Sequence, residues 1–473
     1  FIFYIMNLKE EKIYEIAIIG GGAAGLYLAN KLNNTKDLIL IESGHINKFN
    51  RNNKNHKFIM HKNTKHKLNT DQVSGMGGNT NIWGGQLLPF TKNDINKKNG
   101  WPLEWEEISE IYKSITKELL NENIKFYSQE YIENSTKTKI VKSNQIEFNI
   151  HLSSWLKEPN FKKLYLKKIM NKNDILSECF VDSIGYEKDK YYNLYCLKYN
   201  NKITIRAKKV IISCGAIQSV RLLLNSSKIN NLLKNKNIGK SFMDHAAIQF
   251  TKLKVKNRFK FLSLFNTKFT SNGNKVSIRL SASDKYLKNN KANISGMFMI
   301  IPPRNIFKKF INIITVLFTM KFLRFIYKPF GEIYLCFLIE QKEIIKNDIN
   351  LTKNGIPIIN WHINKKEINT IKDFANIILT NKEIRKLIKN NYKIPESNII
   401  FSKTTDNNHP MGGASMHIDK NKRVVDSNLE VDGCKGLFVC STAIFPSGSH
   451  SNPTMTLLVF ANRLANKLNL EKL

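Results

Sequence analysis

The chain has 473 residues, 42% of them hydrophobic, with 28 Phe and 16 Tyr. That is enough for two or three domains or one large interleaved unit, and it excludes a disordered chain and a small disulfide-stapled module. Lys plus Arg number 74 against 38 Asp plus Glu, a net charge of +36, which brings nucleic acid and anionic lipid forward as partners. Arg is scarce, however, and the Lys are scattered. A nucleic-acid reader leans on Arg for bidentate and stacking contacts, so the charge reads as coding bias and no nucleic-acid partner is expected.

The opening residues 1–6 are too short for the apolar part of a signal peptide, and Met6 reads as the initiator. Residues 14–19 are a β-branched run suited to a buried parallel strand. A glycine-rich turn over 20–25 follows, then a helical stretch at 26–32, a second strand at 38–41, and Glu42. Residues 45–70 are rich in Lys, Asn and His without periodicity and read as a loop. Its His56, His61 and His66 recur at a spacing that fits no common metal-ligand pattern, so solvated histidines and no metal site are expected. Trp101 and Pro102 open a helical pattern to Leu120, with Pro at the helix start where its missing donor costs nothing. Residues 174–215 read mostly as strands, with a hairpin at Asn200 and Asn201 and a buried strand at 210–212.

Residues 246–400 carry mixed signals and no motif strong enough to stand alone. Within them, the basic segment 303–328 could lie on an anionic membrane, but a substrate-domain helix or lid is the better reading. No run reaches the roughly eighteen apolar residues of a membrane-spanning helix. The six cysteines, Cys179, Cys196, Cys214, Cys336, Cys434 and Cys440, include no CxxC pair. A reduced, cytoplasmic chain fits them.

Gly20, Gly22 and Gly25 form GxGxxG between a strand and a helix. The first glycine allows a tight turn, the second lets backbone approach a pyrophosphate, and the third permits close helix–strand packing, while the helix N-terminus holds the diphosphate. Glu42 is placed to accept hydrogen bonds from a ribose diol, and an acid there disfavours a 2′-phosphate. A second cluster, residues 74–85, is so rich in glycine that its backbone is expected to lie against a flat ligand or another backbone.

Six motifs, in order, resemble the glucose–methanol–choline (GMC) oxidoreductases, FAD-dependent alcohol oxidases and dehydrogenases. They are residues 18–25 with 41–44; residues 77–85; Gly100, Trp101 and Pro102; residues 214–219 with Arg221 to Leu224; residues 238–245, ending in Asp244 and His245; and His409 to Gly413 with Asn452 to Thr456. Arg221, Phe242, Met243 and Trp83 look closer to the pyranose-oxidase-like, sugar-modifying branch. The resemblance implies an α/β fold in which a Rossmann-like FAD-binding domain (7–100, 171–245 and 401–473) is interleaved with an α+β substrate-binding domain (101–170 and 246–400). It implies FAD contacts from Gly20, Gly22, Gly25, Glu42, Asn81, Trp83, the backbone of Val181, Ser441 and Thr442.

The implied reaction is oxidation of a CH–OH group of an alcohol, sugar or polyol by hydride transfer to flavin. His409 would accept the hydroxyl proton and Asn452 would hold the substrate oxygen. His417 reads as peripheral, and His450 as a loop residue that could line the site. Two departures matter. Ile82 stands where pyranose oxidases carry a flavin-linked His, so FAD should be noncovalent, and Ser441 stands where the family often has Asp. The electron acceptor is left open. The rival readings are a flavin-dependent lyase of the same fold and a basic surface-binding protein that has lost activity.

Overall fold

The computed structural model describes residues 12–32, 37–66, 68, 71–139, 147–187, 190–199, 201–228, 231–290, 293–301, 331–341 and 346–471. The basic segment 303–328 lies outside the described residues.

The β-branched run near the start forms the strand Ile13–Ile19, buried on both faces over most of its length. Leu38–Ile41 and Asn201–Ile212 flank it in parallel, and Asp174–Leu176 extends the sheet beyond Leu38–Ile41. The strand Asn201–Ile212 divides its edges. Its first half pairs with the antiparallel meander Tyr191–Lys198 and Cys179–Glu187, and its second half receives Leu437–Val439 in parallel. The strands Tyr191–Lys198 and Asn201–Ile212 form the expected antiparallel pair, but Lys198 pairs with Asn201, so Asn201 opens the second strand and is not part of the turn, and Asn200 lies outside the described residues. Helix Ala23–Lys31 covers the parallel strands and is itself covered by helices Phe161–Met170 and Pro453–Leu470. Leu38–Ile41 is wholly apolar and buried at all four positions, as a strand inside a covered parallel sheet can be.

The second seven-stranded sheet is antiparallel along its whole path. Its order is Ala246–Leu253, Glu332–Ile339, Ile294–Ile301, Lys275–Ala282, Phe148–Trp155 and Gln86–Leu87, with Lys268–Phe269 paired to Lys275–Ala282. The helix Lys365–Thr380 packs on it, opened by a capping box between Asn364 and Glu367. His151 and Arg279 are register partners in this sheet. A third sheet joins Asp348–Leu351, Pro357–Asn360 and Ile59–Met60.

One expectation shifts. The helix begins at Trp105, not at Trp101 and Pro102, and runs Trp105–Leu120. Trp101 is instead an anchor, stacked on Phe460 at 5.6 Å and donating from Nε1 to Ser447 Oγ at 2.7 Å. Holding that ring in the core keeps the following residues out of the helix. All six cysteines are free. Among the described residues no helix is long and apolar enough to cross a membrane, and no cluster of three or more His, Cys, Asp or Glu could hold a metal ion.

Candidate active site

A cavity of about 570 Å³ runs from the glycine turn of residues 20–25 to His409 and Asn452. At its first end, Gly20 has φ +105°, and a Cβ there would stand 2.7 Å from the carbonyl oxygen of Ser213. Gly22 is the N-cap of the helix Ala23–Lys31, with no side chain capping the free N–H groups. A Cβ on Gly22 would meet nothing within 4 Å, because it would point into the cavity, whereas one on Gly25 would strike Gly20 O at 1.9 Å. The three glycines thus serve the turn, the open cradle and the close helix contact in the order their spacing predicts. The cradle, with its uncapped helix N-terminus, fits a diphosphate.

Glu42 is buried beside this turn. Its Oε1 accepts from Gly44 N and Gly75 N at 2.8 and 2.9 Å and from Ser43 Oγ at 3.1 Å, while among the described residues Oε2 accepts only from Gly21 N at 2.8 Å. The carboxylate therefore ties three backbone segments together and keeps acceptor capacity on Oε2 for a diol. Val181 lines the same end, its carbonyl taken by Arg221 Nη2 at 2.6 Å.

His56 also lines this end, 2.8 Å from Ser43 Oγ, and burial holds its pKa below the usual value. It is not a solvated loop histidine. His66, packed on Phe401 at 4.3 Å, is not one either.

The second glycine cluster lies against the first. Gly77 N donates to Gly21 O at 2.8 Å, and a Cβ on Gly78 would stand 3.1 Å from Gly22 Cα. Backbone thus lies on backbone, as the composition suggests. Trp83 and Ile82 line the cavity, and Trp83 is held by Nε1 donating to Pro159 O at 2.8 Å. Asn81 is not among the lining residues. Its amide donates to Met76 O and Gly78 O and accepts from Asn160, so it braces the loop from behind. Ser441 and Thr442 line the cavity, with Ser441 Oγ accepting from Ala443 N and Thr442 Oγ1 donating to Pro410 O.

At the other end, two distant segments run antiparallel. Met243 and Met411 exchange both backbone hydrogen bonds at 2.8 Å, and Ala247 and Thr405 exchange theirs at 2.7 and 2.9 Å. This register sets Asp244 and His245 against residues 406–409. The Asp244 carboxylate accepts from the backbone N–H of Asn407 and of His409. Burial and the nearby Asp406 hold that carboxyl well above its ordinary pKa.

His409 Nε2 lies 3.3 Å from Asn452 Nδ2, and its Nδ1 lies 2.7 Å from His245 Nδ1. Asn452 is the N-cap residue of Pro453–Leu470, yet its side chain makes no cap bond, and its buried Oδ1 has no hydrogen-bond partner among the described residues. The amide is thus diverted from turn chemistry toward the cavity. Burial, then His245 and Arg279, hold His409 well below the ordinary imidazole pKa, so it is a neutral acceptor at neutral pH.

His450 is not brought to His409. Its Nδ1 lies 2.8 Å from Asn293 Oδ1, its ring lies 5.3 Å from that of His151, and it lines a separate cavity of about 540 Å³. His417 sits at the periphery, its Nδ1 accepting from Asp419 N.

Local sequence assigns no role to two residues near the site. One is His245, the last residue of the motif at 238–245. The other is Arg279, 2% exposed, which donates to Ser153 Oγ and to Gln86 Oε1 and has no carboxylate partner among the described residues. Its one signal was an Arg inside an apolar alternating strand of a chain poor in Arg.

The GMC oxidoreductase family matches the chain twice, its N-terminal model over residues 159–247 and its C-terminal model over 349–461. No curated protein matches. Among solved structures, pyridoxine 4-oxidase from Mesorbium loti superposes with a TM-score of 0.62 at 14% identity, covering 97% of this chain and 99% of that one. A mutant formate oxidase from Aspergillus oryzae RIB40, studied for FAD modification, gives 0.65 at 13% identity, covering 98% and 99%. Another formate oxidase structure gives 0.63 at 14% identity, covering 97% and 98%. At these identities the likeness is one of fold.

Proposed function

Since the chain belongs to the GMC oxidoreductase family and is an FAD-dependent oxidoreductase, we propose that it oxidises a CH–OH group of a sugar or sugar-like polyol, with His409 as base and Asn452 as the group that holds the substrate oxygen. The observation that carries this reading is the pairing of His409 Nε2 with Asn452 Nδ2 at 3.3 Å, in a cavity that continues to the glycine turn. FAD, when bound, supplies the hydride acceptor. Gly22, the uncapped helix N-terminus, Glu42, Trp83, Ser441 and Thr442 would hold it, and Gly20, Gly25 and Asn81 would keep the two glycine segments in shape. Ile82 offers no nucleophile, so the cofactor is held without a covalent bond.

The neutral imidazole of His409 takes the hydroxyl proton as the carbon–hydrogen bond breaks. The Asn452 amide donates to the oxygen as negative charge grows on it. A polyol is favoured because amides and indoles share the lining: Gln86, Asn407 and Asn452 offer polar contacts, and Trp83 and Trp155 offer flat faces for C–H groups. The proposed division is an FAD-binding domain of residues 7–100, 171–245 and 401–473 and a substrate-binding domain of 101–170 and 246–400, in a cytoplasmic enzyme.

The test is anaerobic mixing of the purified yellow protein with D-glucose, myo-inositol, D-glucosamine, glycerol and benzyl alcohol. Bleaching by a polyol supports the reading. Bleaching by benzyl alcohol alone moves the substrate class, and turnover of an alcohol without bleaching would point to a lyase. Acid precipitation should leave the chromophore in the supernatant.

A further inference from the structure

Behind the proposed base stands a second imidazole whose contacts admit one arrangement of hydrogens. His245 Nε2 faces two backbone carbonyls, Ser449 O at 2.9 Å and Gly448 O at 3.2 Å. A carbonyl only accepts, so His245 Nε2 carries a hydrogen. Burial pushes the His245 pKa down to about 4, so the ring is neutral and this is its single N–H. Its Nδ1 is then a bare acceptor, 2.7 Å from His409 Nδ1. Two lone pairs cannot share that contact, so His409 Nδ1 must be the donor.

One neighbour competes. Asn407 Nδ2 lies 3.2 Å from His409 Nδ1 and 3.5 Å from Nε2. It could donate to Nδ1 only if that nitrogen were bare, and His245 would then have to carry hydrogens on both nitrogens. That state buries an imidazolium near the Arg279 guanidinium, which has no carboxylate partner among the described residues, so two like charges would lie away from water. The same hydrogen count makes His409 Nε2 the bare nitrogen, and the orientation of Asn452, with Nδ2 toward Nε2, agrees.

We infer that His245 is a positioning residue: anchored by the carbonyls of Gly448 and Ser449, it fixes His409 as the Nδ1–H tautomer and so aims the lone pair of Nε2 at the substrate. The inference rests on the reading of His409 as the base. When the substrate O–H bond breaks, its electron pair stays on oxygen and its proton forms a bond to His409 Nε2. The imidazole pair then holds three hydrogens instead of two, and the central one, between the two Nδ1 atoms, spreads the positive charge over both rings.

The experiment has two arms on the full-length holoprotein. Nitrogen NMR of isotope-labelled histidine, with His409 assigned by its loss in His409→Ala, should show His409 Nδ1 protonated and Nε2 bare between about pH 6 and 8. A protonated Nε2 overturns the inference whatever His409→Ala does. A bare Nε2 together with a fully active His409→Ala would instead overturn the base reading and leave the tautomer standing.

The second arm is stopped-flow flavin reduction by whichever alcohol of the panel bleaches the wild type. His245→Leu removes the acceptor and should slow reduction roughly 100-fold with unchanged substrate Kd. His245→Gln offers Oε1 to His409 and Nε2–H to the carbonyls, and should recover to within about tenfold of wild type. Wild-type rates in both variants, or equal losses in both, would overturn the positioning role. If His245→Leu does not fold, the NMR arm decides.

Discussion

The two ends of the cavity are built in opposite ways. The glycine end is made of backbone: Gly21, Gly44 and Gly75 give their N–H groups to one carboxylate, and the cradle at Gly22 is the absence of a side chain. These donors all come from the first seventy-five residues. The imidazole end is made of side chains, His245, His409 and Asn452, carried by segments joined only through tertiary pairing. The first kind of site tolerates change where a side chain would enter free space and fails where backbone would have to move. The second fails through chemistry while the fold survives.

The largest effect should fall at the imidazole end. His409→Ala should slow flavin reduction by roughly 10²–10⁴-fold while FAD stays bound, read by stopped-flow absorbance after flavin content is matched. A near wild-type rate would remove His409 as the base. Asn452→Ala should cost about 10²–10³-fold, with the pH dependence of reduction retained because the titrating group remains. His450→Ala should change reduction far less, since His450 lines the other cavity.

The next effect separates the glycines. Gly25→Ala should destabilise the apoprotein by about 3 kcal/mol, because its Cβ would overlap backbone that must move. Gly22→Ala should leave apoprotein stability within about 0.5 kcal/mol of wild type and lower FAD retention on gel filtration. Equal destabilisation by both would show that the cradle is not open space.

The last effect is acid sensitivity, which is spread over several pH units. His151 has an ordinary pKa of 6.5 and is held down to about 3, chiefly by burial. As pH falls through that window the unfolded chain takes up a proton that the folded ring refuses, so stability is lost on the way down. Each pH unit costs about 1.4 kcal/mol for this ring. Urea unfolding of His151→Phe at stepped pH should be shallower than wild type by that slope, and identical slopes would mean that His151 is protonated within the fold.

The same contrast explains what could be read from the sequence. The glycine turn, its strand, its helix and Glu42 lie within thirty residues, and local spacing fixes their geometry. His409 and Asn452 were legible only through resemblance, because nothing local says that Asn452 declines to cap its own helix. The role of His245 is not legible locally, since it depends on the pairing of Met243 with Met411 and on the carbonyls of Gly448 and Ser449. Arg279 lay in the stretch where strands alternate with helices and no motif marks position. The helix start near Trp101 was misplaced for a similar reason: a long-range ring stack with Phe460 overrides the local signal.

The contact between the helices Ala23–Lys31 and Pro453–Leu470 bears on the order in which this protein can be made. Asn462 Nδ2 donates to the Tyr27 hydroxyl at 3.0 Å across 435 positions of chain. The parallel strand Leu437–Val439 must likewise find its slot beside Val210, Ile211 and Ile212. During synthesis the first strands and helix leave the ribosome long before the segments that cover them, with their apolar faces unburied. Closing such long loops comes late and slowly. A nascent chain halted before residue 437 would therefore carry a finished glycine turn on an uncovered sheet, a species for chaperones to shelter rather than a smaller version of the enzyme.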